Sequence, residues 1–375
     1  METRRTERQG ISKARHENNF TILRVVAAIF VFAGHMGHIR GGTPPLLGSY
    51  PIHELGVAVL FVLSGYLITT SWMSDPHPVR YMIRRFFRLW PPFAVMVLVM
   101  TFVVGPLLSE LGWEGYFQSW YTVYLRNLRF YIVYALPGVF TTLPIPNNVN
   151  GSLWTMPLEA LLYVVAPIAI TLLLLPRKRF PRVSLGLAAV LTVAVSGFDL
   201  YLRKCYTGPM VVIYGTDAVA AWHLITFFVI GMLFTYEEVR RLLNVQAGCM
   251  LMALLLLFQQ SEPLMQYLAL YLILPYFLFS FAFAPQPVFR NFGKKLEPSY
   301  GIYLYGFLFQ QLVVVWQQKH GVSFTYLECL VISLVPSLAA AALSYYLVEK
   351  PFLRLSKYLT GKIRRKDRSG TATVK

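Results

Sequence analysis

Arg24 and His35 lie eleven residues apart in an otherwise apolar stretch near the start of the chain. At about 100° per residue the interval closes three helical turns plus roughly 20°, so the two side chains share one face of a helix. At about 1.5 Å per residue they stand ~16 Å apart along its axis. The positions between them on that face, Ala27, Ala28 and Val31, are small enough to let neighbouring helices approach closely. An imidazole at one end could act as a general base, and a guanidinium at the other could hold an anion. The alternatives are a snorkelling arginine at the headgroups and a hydrogen-bonded histidine at a helix end. Ionisable groups inside an apolar helix are costly, and two in register favour function.

Further candidates lie downstream. The run RYMIRRFFRLWPP places Arg80, Arg84, Arg85 and Arg88 just before an apolar segment. Such a cluster satisfies the rule that basic residues stay inside, and it could also form a phosphate site from guanidinium forks. With Arg24 at the same level, several arginines could converge on one polyanion, and coenzyme A, with its diphosphate and 3′-phosphate, has suitable chemistry. Glu159 in GSLWTMPLEALLYVVAP sits at a depth that would let it pair with His35 and polarise the imidazole, if their helices touch. Asp217 and His223 are weaker candidates for the same outer cavity. Ser64, in FVLSGYL, has no adjacent base and suits close packing beside Gly65. No GxSxG signature argues for an acyl-serine, and no metal site is expected.

These residues sit in a chain built for lipid. Of 375 residues 56% are hydrophobic and 14% charged, against about a quarter charged in soluble domains. The net charge of +17 falls in short clusters between apolar runs, which suits anionic headgroups and excludes a nucleic-acid binder. With about 20 residues needed per crossing, ten spans are expected, near 20–39, 52–72, 91–110, 151–175, 183–202, 216–236, 245–260, 264–284, 299–318 and 325–348. The Trp-, Tyr- and Pro-containing stretch 111–150 reads as interfacial or re-entrant. With both termini cytoplasmic, 27 of the 34 Lys and Arg face inward, six face outward and Arg24 lies in the first span.

The fold class is therefore an all-α polytopic membrane protein, divided as a cytoplasmic segment 1–19, a membrane domain 20–355 and a basic cytoplasmic tail 356–375. The first apolar stretch is expected to be retained rather than cleaved. The tail from 361 onward is expected to be disordered and held to lipid by charge. Cys205, Cys249 and Cys329 have no metal spacing and are expected to be unpaired, although Cys205 and Cys329 could face one side and join. No internal repeat of the transporter kind is visible.

The motifs taken together resemble the acyltransferase-3 family of integral membrane acyltransferases over about 18–355. They are LRVVAAIFVFAGH with Arg24 and His35, GVAVLFVLSGYLIT, RRFFRLWP, NGSLWTMPLEALLYV, SYGIYLYG and YLVEKPF, in that order. The resemblance implies transfer of acyl groups, commonly acetyl from acetyl-CoA, to hydroxyls of extracytoplasmic glycans such as exopolysaccharide, O-antigen or lipid-linked saccharides. It implies that Arg24 and His35 are essential, that Arg85 and Arg88 handle the acyl donor with Arg84 beside them, and that Trp154 is a typical position. Ser64 and Tyr163 are expected in supporting roles. Gly306 departs from the pattern, since many members carry histidine there, and no appended esterase-like domain is expected.

The expected enzyme is a multi-pass O-acetyltransferase of the cell inner membrane, with catalytic His35, Arg24 and Glu159 and with no permanently bound cofactor. Direct transfer and an acyl-histidine relay both remain open. Its partners would be acyl-CoA, a glycan acceptor and membrane lipid, and both a homo-oligomer and polysaccharide-assembly partners fit this reading. The rival classes are an exporter of a glycan or lipid intermediate, and a non-catalytic assembly partner.

Overall fold

Helices, most of them long and apolar, make up most of the described residues. The computed structural model describes residues 19–174, 179–257, 262–289, 291–293 and 295–372. Its principal helices are α1 (Phe20–Ile39), α2 (Ile52–Ser74), α3 (Pro78–Leu108), α4 (Met156–Leu174), α5 (Pro181–Cys205), α6 (Ala218–Leu233), α7 (Val245–Leu257), α8 (Pro263–Ala282), α9 (Ser299–His320), α10 (Tyr326–Ser344) and α11 (Lys350–Ala372). Two hairpins, Leu46–Leu47 with Tyr50–Pro51 and Val212–Ile213 with Thr216–Asp217, are antiparallel and two residues per strand. The protein is an all-α, multi-pass membrane protein.

A helix occupies each of the ten expected positions, and seven helical stretches are long and apolar enough to cross a membrane. Two of the remaining positions hold shorter helices, α6 with 16 residues and α7 with 13. The third, α9, has 22 residues, but its apolar run is broken by glutamines. Two of these are buried and used internally: Gln310 Nε2 donates to the Phe32 carbonyl (2.6 Å) and Gln311 Nε2 to that of Asn148 (2.9 Å).

The third expected span, 91–110, is a correction. The helix begins at Pro78, so the arginine cluster lies on it rather than before it. Charge lowers hydropathy without stopping a helix, and Pro91 and Pro92 are absorbed inside it. A wider turn at Met100–Val104 then carries the helix on to Leu108. The stretch 111–150 is not a span. It holds a short helix, Gly112–Phe117, and a 3₁₀ segment, Tyr121–Arg129. It is anchored by buried Tyr116, whose hydroxyl donates to the Thr101 carbonyl (2.7 Å).

Close approach of backbones holds α1, α2 and α6 together. A Cβ at Gly65 would collide with the Phe228 carbonyl oxygen of α6, and one at Gly231 with that of Val62 in α2. Gly56 likewise lies against the Ala27 carbonyl of α1. In lipid, where burial of apolar surface drives little association, such approach supplies the packing attraction between helices.

The expected disordered tail is also corrected. A wide turn over Tyr345–Glu349 joins α10 to α11, and helix continues to Ala372, with residues 373–375 outside the described part. Extending an existing helix avoids the cost of nucleation, and side-chain ties fix its position. Asp75, just past α2, accepts from Arg80 Nη2 (2.7 Å), Arg84 Nη1 (2.7 Å) and Arg364 Nη2 (3.2 Å). Asp367 pairs with Arg80, and Phe352 stacks on Phe87. The expected cytoplasmic segment 1–19 lies outside the described residues apart from Asn19, whose amide donates to the Phe281 carbonyl (2.9 Å). All three cysteines are free thiols, and Cys329 is buried.

Burial alone would raise the pKa of Asp75, but the hydrogen bonds and charges of Arg80 and Arg84 outweigh it and hold the carboxyl well below the usual range. A depressed carboxyl contributes stability above its unfolded pKa and loses it as pH falls toward the folded value. Asp75→Asn is therefore expected to lower the melting temperature in detergent by a few degrees near neutral pH. The difference from the parent should shrink below about pH 4, and proteolysis within α11 should increase. Gly65→Ala should destabilise the protein by about 1–3 kcal/mol through overpacking, measured in the same melts.

Candidate active site

The first helix supplies both ends of the site. Arg24 is the fifth residue of α1, and His35 is four residues from its last. Arg24 lines a cavity bounded also by Ser64 of α2, Thr155, Glu159 of α4, and Tyr300 and Tyr303 of α9. An adjoining cavity shares Arg24, Ser64, Glu159 and Tyr300 and adds Arg85 and Arg88 of α3. Four helices thus bring Arg24, Ser64, Arg85, Arg88, Glu159 and Tyr163 to one place, with Tyr163 on the wall beside Arg85.

The arginines are arranged by a residue that sequence reasoning missed. Glu297, on the connection between α8 and α9, accepts Arg24 Nη1 at 2.7 Å and Arg88 Nη2 at 3.4 Å. Ser299 Oγ donates to Oε1, the oxygen that Arg24 also holds, at 3.0 Å. Burial would raise the Glu297 pKa, but Arg24, Arg88 and Ser299 hold it down at about 2. Glu349, in the turn between α10 and α11, is buried within electrostatic reach of Arg88, and its Oε1 has no hydrogen-bond partner. Arg85 is held differently. Its guanidinium lies over the rings of Tyr81 (5.3 Å) and Tyr163 (5.4 Å), and its buried Nε has no hydrogen-bond partner.

Arg84 is not part of this group. It pairs with Asp75 at 2.7 Å, on the stripe of α3 that also carries Arg80. Arg85 and Arg88 line the arginine cavity instead. The expected pairing of Glu159 with His35 is likewise corrected. Glu159 accepts the Tyr163 hydroxyl at 2.6 Å, one turn along α4, and faces the arginine cavity.

His35 meets Ser152 instead, with Oγ 3.3 Å from Nδ1. Ser152 belongs to the 3₁₀ turn Gly151–Thr155 that leads into α4, held by Asn150, whose side chain accepts from the Ser152 amide (3.1 Å). Glu159, seven residues further on, lies about 10 Å deeper. The imidazole also packs edge-on against Phe307 (5.5 Å) and near His53 (5.9 Å), whose backbone crosses α1 at Gly34. At Gly306 a Cβ would press on Phe32 at 2.7 Å, so the space beside that glycine is already filled.

A polar path joins the two ends. Tyr303 donates its hydroxyl to the Ser152 carbonyl and also bonds Thr155 Oγ1, and both Tyr303 and Thr155 line the first cavity. From Arg24 the route runs through the cavity to Tyr303 and Thr155, then to Ser152 and His35. Ser152 and Tyr303 lie inside NGSLWT and SYGIYLYG, so those motifs marked the region without revealing which side chain reaches the histidine. Trp154 supports this turn through its backbone, its carbonyl accepting Thr216 Oγ1 (2.6 Å), and its side chain packs on the core.

Asp217 and His223 do not join the site. Asp217 caps α6 by accepting from the amides of Val219 (3.2 Å) and Ala220 (3.4 Å). His223 sits with buried Asp199 (2.8 Å) and the Tyr271 hydroxyl (3.0 Å), and Arg203 closes the same group on Asp199 at 3.1 Å.

Residues 17–349 match the family model described as an acyltransferase domain. The chain is 25% identical over 350 residues to an O-acetyl transferase of Shigella phage Sf6, covering 91% of this chain and 98% of that one. It is 24% identical over 374 residues to nodulation protein 10 of Rhizobium leguminosarum bv. viciae, covering 92% and 96%. The peptidoglycan O-acetyltransferase OatA of Listeria monocytogenes is 29% identical over 212 residues, which is 52% of this chain and 30% of OatA. No solved structure matches. With the family model matching residues 17–349, nearly the whole membrane core, the chain belongs to the acyltransferase-3 family and is a multi-pass membrane acyltransferase.

Proposed function

We propose that this protein transfers an acetyl group from cytoplasmic acetyl-CoA to a hydroxyl of an extracytoplasmic glycan at the cell inner membrane. The observation that carries the reading is the cavity where Arg24, Arg85 and Arg88 converge, joined to His35 through Tyr303, Thr155 and Ser152. The O-acetyl transferase and peptidoglycan O-acetyltransferase among the relatives support acetyl as the group and a glycan as the acceptor. The distribution of Lys and Arg supports an inward-facing arginine end and an outward-facing histidine end.

In this reading the donor phosphates engage the arginines as charge-assisted hydrogen bonds. The pantetheine arm runs along the cavity past Ser64 and Tyr303, which brings the thioester toward His35. The acceptor hydroxyl oxygen attacks the thioester carbonyl carbon while His35 takes its proton. The C–S bond then breaks, the thiolate takes the proton that His35 accepted, and the neutral imidazole is restored as the free thiol leaves toward the cytoplasm. Ser152 orients the imidazole through Nδ1, which leaves Nε2 to serve as the base. Glu159, bonded to Tyr163, belongs to the donor cavity and balances its positive charge.

His35→Ala should lower the rate of acceptor-dependent thiol release from acetyl-CoA by about 100-fold or more, with the melting temperature retained. Full activity in a folded variant would remove His35 from the mechanism. Arg88→Ala should raise KM for acetyl-CoA by about tenfold or more, the loss of a charge-assisted contact to phosphate. An unchanged KM for the donor would place its phosphates elsewhere.

A further inference from the structure

The connection from α8 to α9 delivers a carboxylate to the middle of the arginine cluster, and its position suggests more than charge balance. Arg24 is fixed on α1 and Arg88 on α3, so both guanidiniums are carried by long packed helices. Glu297 is on a connection, two residues before α9 begins, and its side chain is 17% exposed. It holds both arginines with its two oxygens, Oε1 on Arg24 and Oε2 on Arg88. A carboxylate bridging two guanidinium forks occupies the place that two oxygens of a phosphoryl group would take. Arg85, on the same cavity, keeps its buried Nε without a hydrogen-bond partner.

We propose that Arg24 and Arg88 form a phosphoryl-binding site which Glu297 occupies in the free protein and vacates when a phosphorylated donor enters, so that Glu297 sets donor affinity and selectivity. The proposal rests on the donor reading given above. In direct contact the two guanidiniums share one carboxylate and its single negative charge, whereas a phosphoryl dianion brings two charges to the same pair. A dianion therefore displaces Glu297 where a monoanion gains nothing over it. The site is shielded from the carboxylates and other singly charged anions of the cytoplasm, and opens to ligands with closely spaced phosphates. The displaced carboxylate remains beside Ser299, whose hydroxyl already donates to it.

The test is calorimetric binding of adenosine 3′,5′-bisphosphate and, separately, of inorganic pyrophosphate to the purified full chain in detergent. The variants are Glu297→Gln, Glu297→Asp and Arg88→Ala, each checked for an unchanged melting profile. Glu297→Gln, which keeps the shape and removes the charge, should bind both probes about tenfold or more tighter than the parent. Glu297→Asp should stay near the parent and Arg88→Ala should bind more weakly. Unchanged or weaker binding by folded Glu297→Gln would overturn the proposal, the weaker result showing that the carboxylate positions the arginines for the donor. Tighter pyrophosphate binding without any bisphosphate binding would keep the phosphoryl site and overturn the coenzyme A reading instead. In kinetic assays Glu297→Gln should lower KM for acetyl-CoA and also lower Ki for inorganic phosphate, and a purely structural role would change neither.

Discussion

A guanidinium set into an apolar helix cannot stay without a counter-charge, and much of this structure follows from meeting that demand for Arg24. An isolated charge in a low-dielectric interior is costly enough that it must pair, reach water or be removed. Here the counter-charge is Glu297, which also binds Arg88. One carboxylate therefore fixes the inner end of α1 against α3 and against the start of α9. The cavity exists because these helices meet through charged side chains, whereas at Gly56, Gly65 and Gly231 they meet backbone to backbone. Tight packing on one side of α2 and an ionic cluster on another give a rigid frame around an open interior.

The same frame links Arg24 and His35, two groups about 16 Å apart along α1. Neither side chain needs to move far, because the connecting elements are hydrogen-bonded hydroxyls on α9 and on the turn before α4. The turn is held by Asn150, which donates to the Leu304 carbonyl (2.7 Å) and so ties it to α9. His35 is thus oriented by a loop that α9 itself positions. A shift of α9, whose first turn adjoins Glu297, would be felt at the ionic cluster and at the imidazole together.

The primary structure disclosed the helices and the register of Arg24 with His35, because both follow from hydropathy and a fixed rotation per residue. Spacing could not sort the four arginines, because Arg84 is four residues from both Arg80 and Arg88 and one stripe runs through all three. The contacts that complete the site were not legible in the same way. Ser152 reaches His35 across 117 positions, and Glu297 reaches Arg24 from the far end of the chain. Such partners depend on which helices touch and at what level: spacing from the span ends put Glu159 near the depth of His35, whereas the turn that meets His35 is at Ser152 and Glu159 lies about 10 Å deeper. The tail was misjudged because its polar composition was read alone, when it continues a helix already formed.

That continuity has a mechanical consequence. From Tyr326 to Arg365 the chain is one helical rod of 40 residues, about 60 Å long at the usual rise. Its distal part is pinned through Arg364 and Asp75, and its middle carries Glu349 beside Arg88. A load applied to the far end, from a bound protein or from the membrane surface, would be transmitted as leverage about the Asp75 pivot. The point that receives it is Glu349, next to the arginine cluster.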